Sequence, residues 1–353
     1  MKNIFIIIVL LFIFGCEKEG IGPINTEEKK ELITSQNGLF ITNEGTFNFG
    51  NASLSYINID SGTVENNVFY NANNRPLGDV ANSVYVYNKK LFIVVNNSNK
   101  IEVVDYETCK SLGTISNLTS PRYIEFTNNK AYVSDLYGNK IHVINPENYT
   151  VIKTINASGW TEKMVAYNGK LFVTCFGNPN LPNSQRSSKI YVIDTNTDNI
   201  IDSIQTPKEP NSIVLDKNNY LWVLCSGGYD YYENPKLIKI SPESYEIINT
   251  YTFTSINTSP SNMVIDSEKE NLYYLNSDIY KFNISDTAIN TNAFISRQNN
   301  NFYTLFIDKS DNLWATNAVD FVQGGKVLSY TNAVLTRTYN VGIIPSFGCF
   351  VEK

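Results

Sequence analysis

The sequence predicts an all-β fold: a seven-bladed β-propeller of four-stranded blades, with the first blade closed by the C-terminal strand. Three observations carry this reading. A two-strand phrase returns seven times, short polar turns recur at fixed places within each repeat, and the C-terminal segment resembles the opening of a repeat.

The phrase starts with a short apolar run: Leu39-Phe40-Ile41, Leu91-Phe92-Ile93, Ala131-Tyr132-Val133, Leu171-Phe172-Val173, Leu221-Trp222-Val223, Leu272-Tyr273-Tyr274 and Leu313-Trp314-Ala315. An alternating run follows, as in Ile101-Glu102-Val103-Val104-Asp105, Ile141-His142-Val143-Ile144-Asn145 and Ile190-Tyr191-Val192-Ile193-Asp194. Self-similarity at a period of about 40–50 residues, with several short strands per unit, is the signature of a propeller. One unit cannot cover both faces of its small sheet, so the units must stack radially.

Each repeat opens on an inner strand, expected at 82–87, 123–127, 163–167, 212–216, 262–266 and 303–308. Tight polar turns such as Tyr87-Asn88-Lys89-Lys90 and Tyr167-Asn168-Gly169-Lys170 lead to the second strand, as hairpins require. The third strand turns into the outer one as briefly, at 105–108, 145–148 and 194–197, and outer strands read like Val151-Ile152-Lys153-Thr154-Ile155. The first repeat lacks an inner strand. Pro345-Ser346-Phe347-Gly348-Cys349-Phe350-Val351 resembles the openings Pro210-Asn211-Ser212-Ile213 and Pro260-Ser261-Asn262-Met263, so the C-terminus is expected to complete the blade that the N-terminus begins. Such closure removes sheet edges that would otherwise stand open to pairing.

The first residues carry a different message. Lys2 precedes an unbroken apolar stretch at 4–14, shorter than the roughly 20 residues that span a bilayer and suited to a signal-peptide core. It ends in Ile13-Phe14-Gly15-Cys16, which resembles a bacterial lipobox. Residues 1–15 are expected to be a lipoprotein signal peptide, Cys16 the lipidated residue, 16–37 a polar tether and 38–353 the propeller. An ordinary secretory signal with an incidental cysteine is the alternative.

A net charge of −6 without any Lys/Arg cluster argues against nucleic acid as a partner. The remaining cysteines, Cys109, Cys175, Cys225 and Cys349, show no metal-ligand spacing and read as small buried hydrophobes, with a Cys175–Cys225 bridge as the less favoured alternative. The single histidine, His142, sits mid-strand where other repeats carry Glu102 and Tyr191, and reads as a strand residue without chemical duty. Asp and Glu fall mainly in the tight turns, where solvated side chains are expected. With no Ser-His-Asp order, phosphate loop or metal spacing, no catalytic residue, metal site or cofactor is assigned.

Function is expected where the long connections gather. In an antiparallel blade the second-to-third and outer-to-inner connections emerge at one end, and there lie the insertions at 43–53, 174–188, 226–236 and 316–326. Long loops on a rigid scaffold are the usual carriers of binding residues. The candidates are Phe47, Phe49, Tyr137, Phe176, Tyr229, Tyr231, Tyr232 and Phe321, with Arg122 and Trp160 nearer the axis. Such rings either pack the loops locally or offer rigid contact area for recognition.

The Lys-Ile-x-Val-Ile-Asp strands, the Pro-x-Ser/Asn openings and the run Asn43-Glu44-Gly45-Thr46-Phe47 resemble the YncE-like seven-bladed propellers. With the lipobox, the chain is similar to surface lipoproteins of the Bacteroidetes, including the BtuG cobalamin-capturing proteins. The resemblance spans residues 38–353. It implies an outer-membrane, lipid-anchored protein facing the cell exterior, which captures a corrinoid or another scarce nutrient for a TonB-dependent outer-membrane transporter. Glu17-Lys18-Glu19 after Cys16 looks like the acidic segment that marks export to that surface. The other expectation is an interaction propeller that binds a protein or glycan in adhesion or envelope assembly, with metal-dependent lactonase or lyase activity behind both.

Overall fold

Strand-forming residues in this chain pair locally. Apolar and β-branched runs follow one another along the chain, joined by short turns or by the longer second-to-third-strand loops, so each repeat folds as a meander. The computed structural model describes residues 37–177, 181–182, 188–228 and 233–352. The expected signal peptide, Cys16 and the tether up to residue 36 lie outside these residues. No helix among the described residues is long and apolar enough to cross a membrane.

Seven antiparallel sheets are formed. The second blade is typical, with Ala81–Tyr87, Lys90–Val95, Lys100–Asp105 and Ser111–Ile115 in order from inside to outside. The inner strands are Pro345–Glu352, Ala81–Tyr87, Pro121–Thr127, Thr161–Tyr167, Pro210–Leu215, Ser261–Ile265 and Phe302–Ile307. Each touches the next and the last touches the first, which closes the ring. The C-terminal strand Pro345–Glu352 pairs antiparallel with Asn37–Asn43, in a register that sets Phe350 opposite Leu39 and Gly348 opposite Ile41. The first blade is therefore completed from both ends of the chain, as the sequence leads one to expect.

The sixth blade differs. It has three strands, Ser261–Ile265, Asn271–Asn276 and Asp278–Asn283, and its outer place is held by a single bridge between Ile279 and Ile295. The stretch 285–293 is polar and offers no alternating apolar run to pair there. A short helix, Val68–Asn73, interrupts the connection from the first blade to the second.

The core lies between blades, where middle strands press their apolar faces together. Phe92, Val94, Ile101 and Val103 of the second blade meet Ile124, Ala131 and Val133 of the third. Burying a large apolar side chain contributes about 1.5–3 kcal/mol, so each interface contributes on the order of the stability of a small domain before chain entropy is subtracted. All four cysteines of the described residues are free thiols, so the alternative Cys175–Cys225 bridge is not formed.

One expectation about polar residues needs correction. Asp216 and Asp266 lie in inner-to-second-strand turns but are 0% and 7% exposed, not solvated. Asp216 accepts hydrogen bonds from the backbone N–H groups of Asn218 and Tyr220 and from Trp222 Nε1, and Asp308 repeats the pattern with Ser310, Asn312 and Trp314. A carboxylate there serves the orphan donors of the turn and the indole N–H of the next strand together. His142 is a strand residue, as expected, and has a structural task. Its Nε2 lies 3.0 Å from Asp135, whose carboxylate also accepts from the N–H groups of Thr119, Ser120 and Gly138. Burial works against the charge on Asp135, but these partners outweigh it and hold the carboxyl below its usual range. The equivalent positions do the same job: Glu102 pairs with Arg75, and Tyr191 bonds Ser158, both from incoming connections. This third-strand position anchors the connection arriving from the preceding blade.

Candidate functional site: the long-loop face and the axial channel

The Asn43-Glu44-Gly45-Thr46-Phe47 run forms the start of the first long loop. The N–H groups of Glu44 and Gly45 donate to the carbonyls of Ile344 and Ile343, just before the C-terminal strand. Gly45 has φ +75°, and a Cβ there would stand 2.8 Å from the backbone N of Ala52, so the turn requires glycine. The chain beyond it is thrust outward: Phe47 is 63% and Phe49 75% exposed. Tyr137 at 62% and Phe321 at 43% stand out in the same way on their own second-to-third-strand connections. All four rings are largely open to solvent, though Tyr137 and Phe321 also make edge contacts, Tyr137 with Trp160 and Phe321 with Tyr303 at 6.0 Å between centroids.

The other candidates divide. Trp160 is half-buried and receives Tyr137 edge-on, with ring centroids 5.3 Å apart. Its carbonyl accepts the N–H of Phe176, also half-buried, at 2.9 Å. The adjacent Gly159 packs on the backbone of Gly177, where a Cβ would stand 2.6 Å from the Gly177 Cα and closer still to its carbonyl carbon. Trp160 and Phe176 thus brace two neighbouring connections. Arg122 is drawn into the channel mouth, where Nε lies 3.1 Å from Glu162 and Nη1 donates to Asn82 at 2.6 Å. Tyr229, Tyr231 and Tyr232 lie outside the described residues.

The sequence places Arg122 near the axis, but the polar layer and the cavity that the inner strands enclose there are not legible in it. At the long-loop end, Arg122, Glu162, Asn82, Glu44 and Tyr303 form one polar layer, in which the Tyr303 hydroxyl donates to both oxygens of Glu44 at 3.1 and 3.2 Å. Burial raises the Glu44 carboxyl above its usual value, and the Arg122 charge and Tyr303 hydroxyl offset only part of this. Next along the inner strands comes a cavity of about 230 Å³, lined by Tyr85, Tyr123, Phe347, Met164, Met263 and Leu305 together with two ionisable groups, Glu125 and Lys163. The Lys163 ammonium lies 3.7 Å from the centroid of the Tyr123 ring and 4.9 Å from that of Phe347. Burial pushes it down to about 7, against the pull of Glu162 and with a contribution from Arg122. Burial likewise pushes Glu125 up to about 7, less the effect of a hydrogen bond from the Ala166 backbone. The available signal was a charged residue in an inner strand, where other repeats carry Ser, Asn or an apolar side chain.

A pH dependence follows. Glu125 titrates near 4.5 when unfolded and about 7 when folded, so the fold binds the extra proton between these values and its stability falls as pH rises through them. Glu125→Gln is therefore expected to stabilise the protein at pH 8 by about 1–3 kcal/mol and to leave it unchanged near pH 4, as read by urea unfolding at the two pH values. Lys163 acts in the opposite direction above neutrality: its folded value of about 7 lies below its ordinary 10.5, so stability rises with pH between them.

A family described as a domain of unknown function (DUF5074) matches residues 37–324. No curated protein sequence matches significantly. Among solved structures, the chain is similar to a protein from Lactobacillus plantarum (TM-score 0.67, 12% identity, covering 90% of this chain and 100% of that one). It is also similar to a Bacteroides uniformis protein provisionally named a 6-phosphogluconolactonase (TM-score 0.65, 13% identity, 90% and 100% covered). Apo AztD from Citrobacter koseri matches with a TM-score of 0.56 at 12% identity, over 89% of this chain and 97% of that one. At such identities the likeness is one of fold.

Proposed function

We propose that this chain, which belongs to the DUF5074 family, is a solute-capture protein whose long-loop face takes a broad, amide-rich ligand of the corrinoid class. The observation that carries the reading is the exposure of Phe47, Phe49, Tyr137 and Phe321 at one end of the ring. Aromatic side chains have few rotatable bonds and lose little entropy on binding, which suits them to a wide, semi-flat ligand. Asn48 and Asn51 lie on the first of these loops and Asn97 bonds to it, and amides of this kind match the amide rim of a corrinoid. The one histidine is already bonded to Asp135, so a bound cobalt would not take its imidazole. Affinity would come from contact area and hydrogen bonds.

The rest of the reading follows from the resemblance: anchorage through a lipid on Cys16, an outward-facing position at the outer membrane, and delivery to a TonB-dependent transporter. On the strength of the exposed aromatic face we read the chain as a binder in preference to a lactonase. Calorimetric titration with cyanocobalamin tests this. One-to-one binding at sub-micromolar affinity supports it. No heat at high micromolar concentration overturns the corrinoid reading and turns attention to a protein or glycan partner for the same face.

A further inference from the structure

The axial cavity is separate from the exposed face and has its own chemistry. Its walls are aromatic and aliphatic, as in most small-molecule sites, with a small number of polar groups set among them. Lys163 is half-buried, with its open surface on this cavity, and its ammonium rests on the faces of Tyr123 and Phe347. No carboxylate forms an ion pair with it among the described residues. The nearest acid by sequence, Glu162, is engaged by Arg122. In the equivalent position of the other inner strands stand Ser83, Ser212, Asn262 and Thr304, of which the first three bond to adjacent strands, and the rings Tyr123 and Phe347 on which the lysine rests. Lysine at this point therefore answers no evident need of the ring closure.

We propose that the axial cavity binds a small aromatic monocarboxylate, its carboxylate paired with Lys163, its ring among Tyr85, Tyr123 and Phe347, and a donor group at its far end bonded to Glu125. The volume fits. An apolar protein cavity of about 150 Å³ accepts benzene, and about 230 Å³ leaves room for a ring with a carboxylate and one further substituent. The charge also fits, because an ammonium held over ring faces in a low-dielectric cavity gains strongly from an anion placed beside it. Glu125, which also lines the cavity, supplies an acceptor for a hydroxyl or amine on the ligand.

The test is calorimetric titration of the full chain with 4-hydroxybenzoate, benzoate and phenol. Both benzoates are expected to bind one-to-one, 4-hydroxybenzoate more tightly, and phenol far more weakly. Lys163→Met is expected to weaken 4-hydroxybenzoate by about 10- to 100-fold, the effect of removing one charge-assisted hydrogen bond, while Lys163→Arg retains part of the affinity. Glu125→Gln is expected to reduce the advantage of 4-hydroxybenzoate over benzoate. Replacing Phe47 and Phe49 by Ala should change none of this, which separates the cavity from the long-loop face. Thermal melts establish that each variant is folded. Absence of heat with both benzoates, or undiminished binding by folded Lys163→Met, overturns the proposal.

Discussion

A chain ending at Ile344 should not fold. Removing the C-terminal strand takes away the inner strand of the first blade and opens the edge of Asn37–Asn43 along its whole length. More than one blade is affected. The Ser346 hydroxyl donates to the Ala81 carbonyl of the second blade at 2.9 Å, Phe347 packs on Tyr85 with ring centroids 5.2 Å apart, and Phe350 meets Trp314 and Phe306 of the seventh blade at 5.7 Å each. Loss of those contacts together with a ladder of strand pairing approaches the whole net stability of a domain, about 5–15 kcal/mol. The truncated chain is expected in the insoluble fraction, without a cooperative thermal transition by circular dichroism. Phe350→Ala, which removes one ring and keeps the ladder, should cost about 3 kcal/mol and still fold. A truncated protein that melts like the parent would show that the ring does not depend on this closure.

Asp216→Ala is expected to have the largest effect of any single acidic substitution. The carboxylate is fully buried, and its loss leaves the N–H groups of Asn218 and Tyr220 and the Trp222 indole N–H without their acceptor. Each unsatisfied donor costs about 1–3 kcal/mol, and water entering the turn relieves part of that, so a loss of about 3–5 kcal/mol is expected by chemical denaturation. Lys239, 3.9 Å from the same carboxylate, is left without its nearest counter-charge. With Trp222→Phe the donor is removed as well, and the double variant should be less destabilised than the sum of the two single changes. Strict additivity would mean that the indole bond contributes nothing.

The two predictions also mark what is legible in this chain. The blades are readable because every second strand is a short apolar run and every inner turn is polar, and because Pro345-Ser346-Phe347 repeats an opening found at Pro260-Ser261-Asn262. The missing outer strand of the sixth blade is harder to read, since outer strands are largely exposed and tolerate polar residues, as in the pattern of Ile247–Thr252. The burial of Asp216 was obscured for a related reason. An aspartate in a turn is ordinarily solvated, and only the indole six residues later distinguishes it. Phe47 and Phe49 were identifiable as loop aromatics, whereas the bracing role of Trp160 depends on a contact between Gly159 and Gly177 that sequence spacing does not reveal. Lys163 and Glu125 were invisible as a pair. In an isolated strand a charged residue signals a face turned to water, and only closure of the ring converts the inner strands into the wall of a cavity.

The central claim is that the exposed rings of the long-loop face serve recognition and not packing. It is tested most directly by titrating cyanocobalamin into the parent and into the variant carrying Phe47→Ala, Phe49→Ala, Tyr137→Ala and Phe321→Ala, with thermal melts of both. The expected result is one-to-one binding by the parent and its loss in the variant, with stability changed by no more than about 0.5 kcal/mol at Phe47 and Phe49 and about 1.5 kcal/mol at Tyr137 and Phe321, which each touch one other ring. Undiminished binding by the variant, or a collapse of its stability, would contradict the claim.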